Sequence, residues 1–292
     1  MLYNIRNIIY GADIMSIWEE YELVNSKLLN DFLCIPPYPC ISKNYVYDLY
    51  NLCTSNKLTD LYIKIYELIN RPYQRAYQID FRYKKCKIFD SFMSVIEYAC
   101  YDAMKGNYIC AYLSLVPVVE AVLRIWEPKS EKGKFGAIIK SSQIYKNPKV
   151  FNDERKAITD GHIKYLENML DIFYASFKGY ENRGYSDIFN RNFSLHKLTG
   201  AKNLNEEIMR NLSRIFLLLD VIAELYLMTM PDKYWNNVFF ADTEGIDFNL
   251  RWQLYITWNM SSIMFSDIQT INNLFISNKS TESEKKALLH KL

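Results

Sequence analysis

The chain has 292 residues, of which 50% are hydrophobic and 23% are charged, a balance that is typical of a folded protein and excludes a long disordered one. Its 9 glycines and 8 prolines are about half the usual share, which argues against sheet folds with many tight turns and predicts an all-α protein. With 35 basic and 33 acidic residues the formal net charge is +2, so a nucleic-acid partner would need a local basic patch.

The cysteines and the apolar runs bear on the compartment. No CxxC pair and no signal peptide accompany the six cysteines, so we expect reduced thiols in a cytoplasmic protein. The most apolar run, Phe216 to Met230, contains Asp220 and Glu224. A charge in mid-membrane costs about 2.5–3.5 kcal/mol, so we expect no membrane-spanning segment.

The first part of the chain, residues 1–88, is predicted to be a helical extension. One helix within residues 1–33 is indicated by apolar residues at helical spacing and ends before the prolines at 36, 37 and 39. A second helix is predicted from Asp60 to Asn70, with Arg71-Pro72 as its stop.

Residues 89–230 are predicted to form the helical core. Phe89 to Met104 has apolar residues on one helical face, and Gly106 ends it. Tyr108 to Trp126 is apolar on nearly every face, which predicts a central, buried helix that Pro117 should kink. Residues 127–152 are polar and predicted to be mostly loop.

Two more amphipathic helices are predicted, from His162 to Lys178 and from Asn205 to Met228. Pro231 closes the second of them. The rest of the chain, 231–292, is predicted to be an aromatic-rich helical extension with a charged tail from Ser280. Its aromatic cluster is interpreted as a packing or oligomer surface, with base stacking as the alternative: Trp235, Phe239, Phe240, Trp252 and Trp258.

Most specific catalytic signatures are absent from the sequence. It has no GxxxxGK[ST], GxGxxG, HExxH or GxSxG motif. Three histidines and no Cys/His cluster at ligand spacing make a zinc site improbable, and we expect no metal and no cofactor. Glu154-Arg155-Lys156 resembles the ExK of metal-dependent nucleases, but it stands in a helix or loop where such enzymes use strands.

One segment carries residues suited to phosphodiester chemistry. In residues 191–196, RNFSLH, an arginine can clamp a phosphate and a histidine can transfer protons near neutral pH. On a helix Asn192 and His196 share a face, whereas Arg191 lies about 140° from His196 and reaches it only through its long side chain. By spacing alone, a surface arginine and a capping or core histidine explain the pattern as well.

The arrangement around this segment resembles the HEPN (higher eukaryotes and prokaryotes nucleotide-binding) family of all-α domains, many of which are RNases. The family motif is an arginine, a polar residue and, a few residues later, a histidine, which Arg191, Asn192 and His196 match. Residues 189–190 and 113–120 are also similar to bacterial HEPN proteins of the abortive-infection and toxin type. The likeness covers about 90–230 and departs where Lys197 follows the histidine, because many relatives have glycine there.

The resemblance implies a metal-independent endoribonuclease, a toxin or phage-defence effector with a possible antitoxin or defence-system partner. It implies that His196 moves protons, that Arg191 stabilises the phosphorane and that Asn192 orients a phosphate or the imidazole. It further implies a homodimer in which two motifs face each other and act on RNA. The alternatives are a HEPN fold that binds RNA or a nucleotide without cutting it, and a helical interaction protein.

Other residues have two interpretations each. Glu120 and Arg124 either satisfy each other as an i,i+4 pair on a buried helix or line the same cleft. Arg183 and Lys197 either contact phosphates beside the motif or are solvated. His162 is expected at the surface, at the start of its helix.

Overall fold

The computed structural model describes residues 17–126, 153–173, 204–228 and 248–258. Within these ranges the chain forms nine α-helices and three short 3-10 helices and contains no strand, which confirms the all-α prediction. The α-helices are α1 (Ile17–Leu28), α2 (Lys43–Thr54), α3 (Leu58–Asn70), α4 (Pro72–Phe81), α5 (Met93–Met104), α6 (Tyr108–Trp126), α7 (Asp153–Phe173), α8 (Leu204–Met228) and α9 (248–258).

Two of the first four helices were not predicted. The Ser42 side chain caps α2 by accepting a hydrogen bond from the backbone N–H of Tyr45. Pro72 was expected to stop α3, and α3 does end at Asn70. The same proline is also the first residue of α4, because its fixed φ suits that position and a first-turn N–H needs no partner.

The junction between α5 and α6 follows the predicted glycine. The chain enters α5 through a 3-10 helix, Lys87–Phe92, so the α-helix begins at Met93 and not at Phe89. Gly106 has φ of 81°, which an L side chain rarely adopts, and the Asn107 N–H then donates to the Asp102 carbonyl at 2.8 Å. This turn sends α6 back against α5.

The central helix of the bundle is α8. Every residue from 211 to 225 is buried, and α8 packs against α3, α6 and α7. The prediction gave the central position to α6, and this is wrong, because Pro117 and Arg124 are exposed and Ile125 is 48% exposed. The buried side of α6 packs on α5 and α8.

A fully buried ion pair joins α4 to α8. The Arg75 guanidinium donates to the Asp220 carboxylate at 2.5 Å through Nη2 and at 3.3 Å through Nη1, and both side chains have no exposed surface. Nε donates to the Ile69 carbonyl at 2.6 Å. The guanidinium also lies 4.8 Å from the centre of the Phe216 ring.

Two tyrosines complete the shell of this carboxylate. The Tyr38 hydroxyl donates to Asp220 Oδ2 at 2.5 Å and accepts from Arg75 Nη2 at 2.6 Å. The Tyr83 hydroxyl donates to Asp220 Oδ1. Burial, and then the nearby carboxylate, raises the pKa of Tyr83 well above its usual value, so the phenol remains a neutral donor. We call these four residues, Arg75, Asp220, Tyr38 and Tyr83, the core ion cluster.

The same buried core extends over all of the predicted regions. One contiguous set of buried apolar residues includes Tyr21 of α1, Val119 of α6, Leu219 of α8 and Tyr255 of α9. At the contact of α1 with α7, a Cβ on Gly161 would lie 3.0 Å from Asn25 Nδ2, so the missing side chain permits the close approach.

Replacing Arg75 by methionine should destabilise the fold by about 3–5 kcal/mol, because it leaves the Asp220 carboxylate buried without a counter-charge. Adding Asp220→Asn should recover part of this loss by removing that charge. The measurement is urea unfolding followed by circular dichroism. Arg124→Met is the matched control, since it breaks an exposed pair and should cost less than about 0.5 kcal/mol. Equal losses for Arg75→Met and Arg124→Met would contradict the structural role of the core ion cluster.

Candidate functional site

The predicted motif lies outside the described residues. Arg183, Arg191, Asn192, His196 and Lys197 all fall within residues 174–203, between α7 and α8. Their roles therefore remain predictions. The helices that precede and follow the segment in the sequence are α7 and α8, and their mutual contacts show how these two helices run.

The two helices that flank this segment are antiparallel. Thr159 Oγ1 contacts Met228 Sδ at 3.6 Å, and further along α7 the Tyr165 hydroxyl lies 3.5 Å from the Arg214 carbonyl. Since residue numbers rise along α7 while those of the contacted residues fall along α8, Phe173 and Leu204 are at the same end of the bundle. Residues 174–203 thus begin and finish at that end.

An ion pair braces the same part of α8. Arg214 Nη2 donates to Asp31 Oδ1 at 2.9 Å, and Nη1 donates to Asn211 Oδ1 at 2.7 Å. The Tyr66 hydroxyl donates to the other Asp31 oxygen at 2.7 Å. Because its charge is matched by Asp31 and its side chain is 1% exposed, Arg214 is a structural residue and no ready phosphate ligand.

Glu120 and Arg124 form the predicted i,i+4 pair. Arg124 Nη2 donates to Glu120 Oε1 at 2.5 Å. The pair was expected on a buried helix, but 70% of the Arg124 side chain and 25% of the Glu120 side chain are exposed. The two residues lie on the exposed side of α6, so water screens their attraction and the pair contributes little to stability.

His162 was expected at the surface, and this is wrong. It lies in the middle of α7, which begins at Asp153, and is 1% exposed. Its Nε2 lies 3.0 Å from the Ile35 carbonyl and 3.5 Å from the Tyr21 hydroxyl, while Nδ1 has no partner. Burial lowers its pKa to about 4, so the ring is neutral near pH 7 and cannot act as a proton-transfer group at the surface. The helix also includes residues 154–156, the stretch that resembles ExK, and so confirms a helical setting there.

A groove of about 480 Å³ lies between α5 and α9. Its volume is within the range of small-ligand sites. Tyr98 is 71% exposed at the rim, opposite Leu250 and Leu254, which are 55% and 48% exposed. We call this feature the α5/α9 groove; it is lined by Ser94, Glu97, Tyr98, Tyr101, Leu250, Arg251, Leu254, Tyr255 and Trp258.

A network of charges fixes the floor of the α5/α9 groove. Arg251 Nε donates to Asp80 Oδ2 at 2.9 Å, and Nη2 donates to Glu97 Oε1 at 2.9 Å. These bonds tie α9 to both α4 and α5. Tyr255 is 2% exposed, and its hydroxyl has no hydrogen-bond partner within the part of the chain that the structure describes. Burial raises the pKa of this phenol, so it remains a neutral donor.

Two aromatic residues that line the groove, Tyr101 and Trp258, also contact a lysine. The Tyr101 and Trp258 rings meet edge to face with their centres 4.3 Å apart. The exposed Lys105 places its ammonium 4.1 Å from the centre of the Tyr101 ring and 5.5 Å from that of Trp258. This groove was not predicted from the sequence. The one pattern that could have indicated it is the spacing of four between Leu250, Leu254 and Trp258, which places them on one face of a helix.

Part of the predicted aromatic cluster takes part in packing. Trp252 stacks against Phe248 and meets Tyr73 edge to face at 5.3 Å. Trp258 packs on Tyr101 as described above. Trp235, Phe239 and Phe240 lie outside the described ranges.

Metal ligands, free thiols and apolar helices also bear on what the chain can do. The described residues contain no group of three or more His, Cys, Asp or Glu side chains placed to hold a metal ion. All six cysteines are free thiols, and Cys40 and Cys110 are the two exposed ones. Among the described helices, α6 is long and apolar enough to cross a membrane by length and composition alone, a test that the core helix of a soluble protein also passes.

Comparison with known proteins gives no match. No protein-family model, no curated protein and no solved structure is significantly similar to this chain.

Acid should weaken the fold through His162. Because its folded-state pKa of about 4 is below the usual 6.5, the unfolded chain binds more protons between these values, and stability is lost as pH falls from 6.5 towards 4. Over this whole pH range the pKa shift lowers the free energy of unfolding by roughly 3 kcal/mol. The measurement is urea unfolding at several pH values in that window.

His162→Gln keeps a side-chain donor near Ile35 but removes the titration, so the pH dependence should be weaker than in the wild type by the same amount. Carboxylates titrate in both proteins, so the difference between the two pH dependences of the unfolding free energy reports the contribution of His162 alone. His290→Gln is the control and should leave the wild-type slope unchanged. If His162→Gln does not fold, the imidazole pKa is read from NMR titration of the wild type, and a value near 6.5 would contradict the buried, neutral ring.

Proposed function

We propose that this chain is a metal-independent endoribonuclease, a toxin or phage-defence effector whose reacting groups are Arg191, Asn192 and His196. The observation that carries the proposal is the arginine, polar residue and histidine at this spacing, in a segment between two helices of an all-α bundle. RNA is the substrate, no metal or cofactor takes part, and an antitoxin or another defence protein is the expected regulatory partner.

The described residues support this assignment because several of their histidine and arginine side chains already have structural roles. Of the three histidines, His162 is buried with a pKa of about 4, which leaves His196 and His290 for proton transfer near neutral pH. The arginines of the bundle core are matched by carboxylates: Arg75 by Asp220 and Arg214 by Asp31. Arg191 and His196, five positions apart in the sequence, therefore offer both a phosphate clamp and a proton-transfer group within one short segment.

The chemistry is an internal transesterification. The ribose 2′-oxygen attacks the adjacent phosphorus, a P–O2′ bond forms and the P–O5′ bond breaks, which leaves a 2′,3′-cyclic phosphate and a 5′-hydroxyl. One imidazole accepts the 2′-hydroxyl proton and a second donates a proton to the departing 5′-oxygen. Arg191 stabilises the additional negative charge of the phosphorane, and Asn192 orients a phosphate or the imidazole.

A single histidine cannot be acid and base in the same step. A homodimer that brings two copies of residues 190–200 together supplies both imidazoles to each cleft. Because α7 and α8 are antiparallel, their ends Phe173 and Leu204 lie at the same end of the bundle, and we propose that two copies pair through that end.

His196→Ala and Arg191→Ala should each reduce RNA cleavage by at least roughly 10²–10⁴-fold, because each removes a reacting group, and should leave the melting temperature within a few degrees. Cleavage of a mixed RNA pool by purified protein in excess EDTA, with analysis of the product ends, is the measurement. Glu154→Ala is the matched control and should be silent.

Three outcomes would contradict the nuclease proposal. Full activity of either motif variant would exclude the motif as the reacting site. Activity that is lost in EDTA and restored by Mg²⁺ would transfer the reaction to an acidic site. RNA binding without cleavage would favour the non-catalytic alternative, and neither binding nor cleavage would favour an interaction protein.

The composite site predicts that two His196 side chains lie close together in solution. With the exposed Cys40 and Cys110 changed to serine, His196→Cys should be joined to its second copy by a short thiol-specific crosslinker, because the four remaining cysteines are buried. Arg124→Cys in the same background is the control and should not crosslink. Light scattering at micromolar concentration should give the mass of a dimer; a monomer, or equal crosslinking at position 124, would exclude the shared cleft.

A further inference from the structure

The floor of the α5/α9 groove has open hydrogen-bonding positions. Among the described residues Glu97 accepts from Arg251 through Oε1 only, and its side chain is 36% exposed, so Oε2 is left as an acceptor. Arg251 uses Nε and Nη2 towards Asp80 and Glu97, and among the described residues its Nη1 has no hydrogen bond. An acceptor and a donor thus belong to the two partners of one ion pair. Tyr255 lines the groove as well, but its hydroxyl is buried, so only the rest of its side chain faces a ligand.

The walls of the groove offer flat apolar surfaces. Tyr98 is 71% exposed on the α5 side, and Tyr101 and Trp258 also line the groove. Such rings bind planar ligands by stacking. The Lys105 ammonium donates to the Tyr101 hydroxyl beside the Tyr101 and Trp258 rings, and its two other N–H groups can meet a phosphate there.

From this arrangement we infer that the α5/α9 groove binds an unpaired guanine base of a single-stranded RNA. The pairing edge of guanine carries two N–H donors beside a carbonyl acceptor. The donors match the Glu97 carboxylate, the carbonyl matches Arg251 Nη1, and the ring stacks on Tyr98. Lys105 then contacts the phosphate of the same nucleotide.

An apolar helix fits this groove less well. Leu250 and Leu254 would suit it, since they are 55% and 48% exposed on α9. An apolar cover would, however, bury Glu97 Oε2 and Arg251 Nη1 without partners, and unpaired buried polar groups are costly. A base satisfies both while covering the aromatic rings, so the polar floor favours a nucleotide over a protein helix.

This inference deepens the proposed function and rests on it for the choice of RNA over a free nucleotide. It adds a base-binding site built from α5 and α9, separate in sequence from residues 190–200. The groove would position an RNA through one guanine and so give the nuclease a sequence preference near that base. Binding and cleavage depend on different side chains and can be tested separately.

The test is calorimetric titration of the full chain carrying His196→Ala, so that RNA stays intact, with GMP, AMP, CMP and UMP and with short oligonucleotides that contain one or no guanine. GMP and the guanine-containing oligonucleotide should bind at least about tenfold more tightly than the others. Glu97→Gln and Tyr98→Ala should each weaken GMP binding about tenfold or more. The matched controls are Glu120→Gln and Tyr47→Ala, which alter another exposed ion pair and another exposed tyrosine, 41% exposed on α2.

Equal binding of the four nucleotides, no binding of GMP at millimolar concentration, or GMP binding that is unchanged by Glu97→Gln would overturn the inference. Self-association that is lost in Tyr98→Ala without any nucleotide binding would show a protein-docking surface and would also overturn it. Cleavage that depends on His196 without GMP binding rejects the groove alone. GMP binding by a protein that never cuts RNA rejects the nuclease and retains the groove.

Discussion

The contact between Arg75 and Asp220 is the constraint around which this bundle is arranged. Two opposite charges with no exposed surface are tolerated only when their remaining hydrogen-bonding positions are filled, and here Tyr38, Tyr83 and the Ile69 carbonyl fill them. The partners come from α3, α4 and α8 and from the segments before α2 and after α4. The position of α8 at the centre of the helices therefore depends on groups that are far apart in sequence, and one cannot move without leaving a charge unpaired.

Two further arginines are paired with carboxylates in the same way, and these pairs hold helices together. Arg214 is held by Asp31, and Arg251 is held by Asp80 and Glu97. Most buried charges of the described residues are thus committed to holding helices together. The proposed reacting groups belong to residues 174–203, between α7 and α8 in the sequence, whereas the proposed base site is built from side chains of the described helices α5 and α9.

The proposed nuclease and the proposed base site place different demands on the protein. Transesterification needs an acid, a base and a positive charge that stabilises the phosphorane, and a few side chains can supply all three. Base recognition needs a rigid acceptor and donor beside a flat ring, and the ion pair between Arg251 and Glu97 supplies that rigidity. A site on packed helices holds such positions more firmly than a loop does. The division is consistent with a recognition surface in the bundle and reacting groups in a connecting segment.

The sequence by itself determined that the protein is helical and where most helices lie. The low glycine and proline content and the 3.6-residue periodicity are local properties, so α3, the later part of α7 and nearly all of α8 were predicted within a few residues. The motif of Arg191, Asn192 and His196 was likewise visible because its members are close in sequence. What only the tertiary structure decided are the features that join distant residues. In the sequence, Asp220 and Glu224 argued only against a membrane-spanning segment, and no local pattern predicted that Asp220 is buried and paired with Arg75, 145 positions away. His162 was expected at the surface and is buried because its Nε2–H can donate a hydrogen bond to the carbonyl of Ile35, 127 positions away in the sequence. The α5/α9 groove depends on the ion pair between Arg251 and Glu97, which are 154 positions apart. A local sequence pattern does not show which distant residue pairs with a charged side chain.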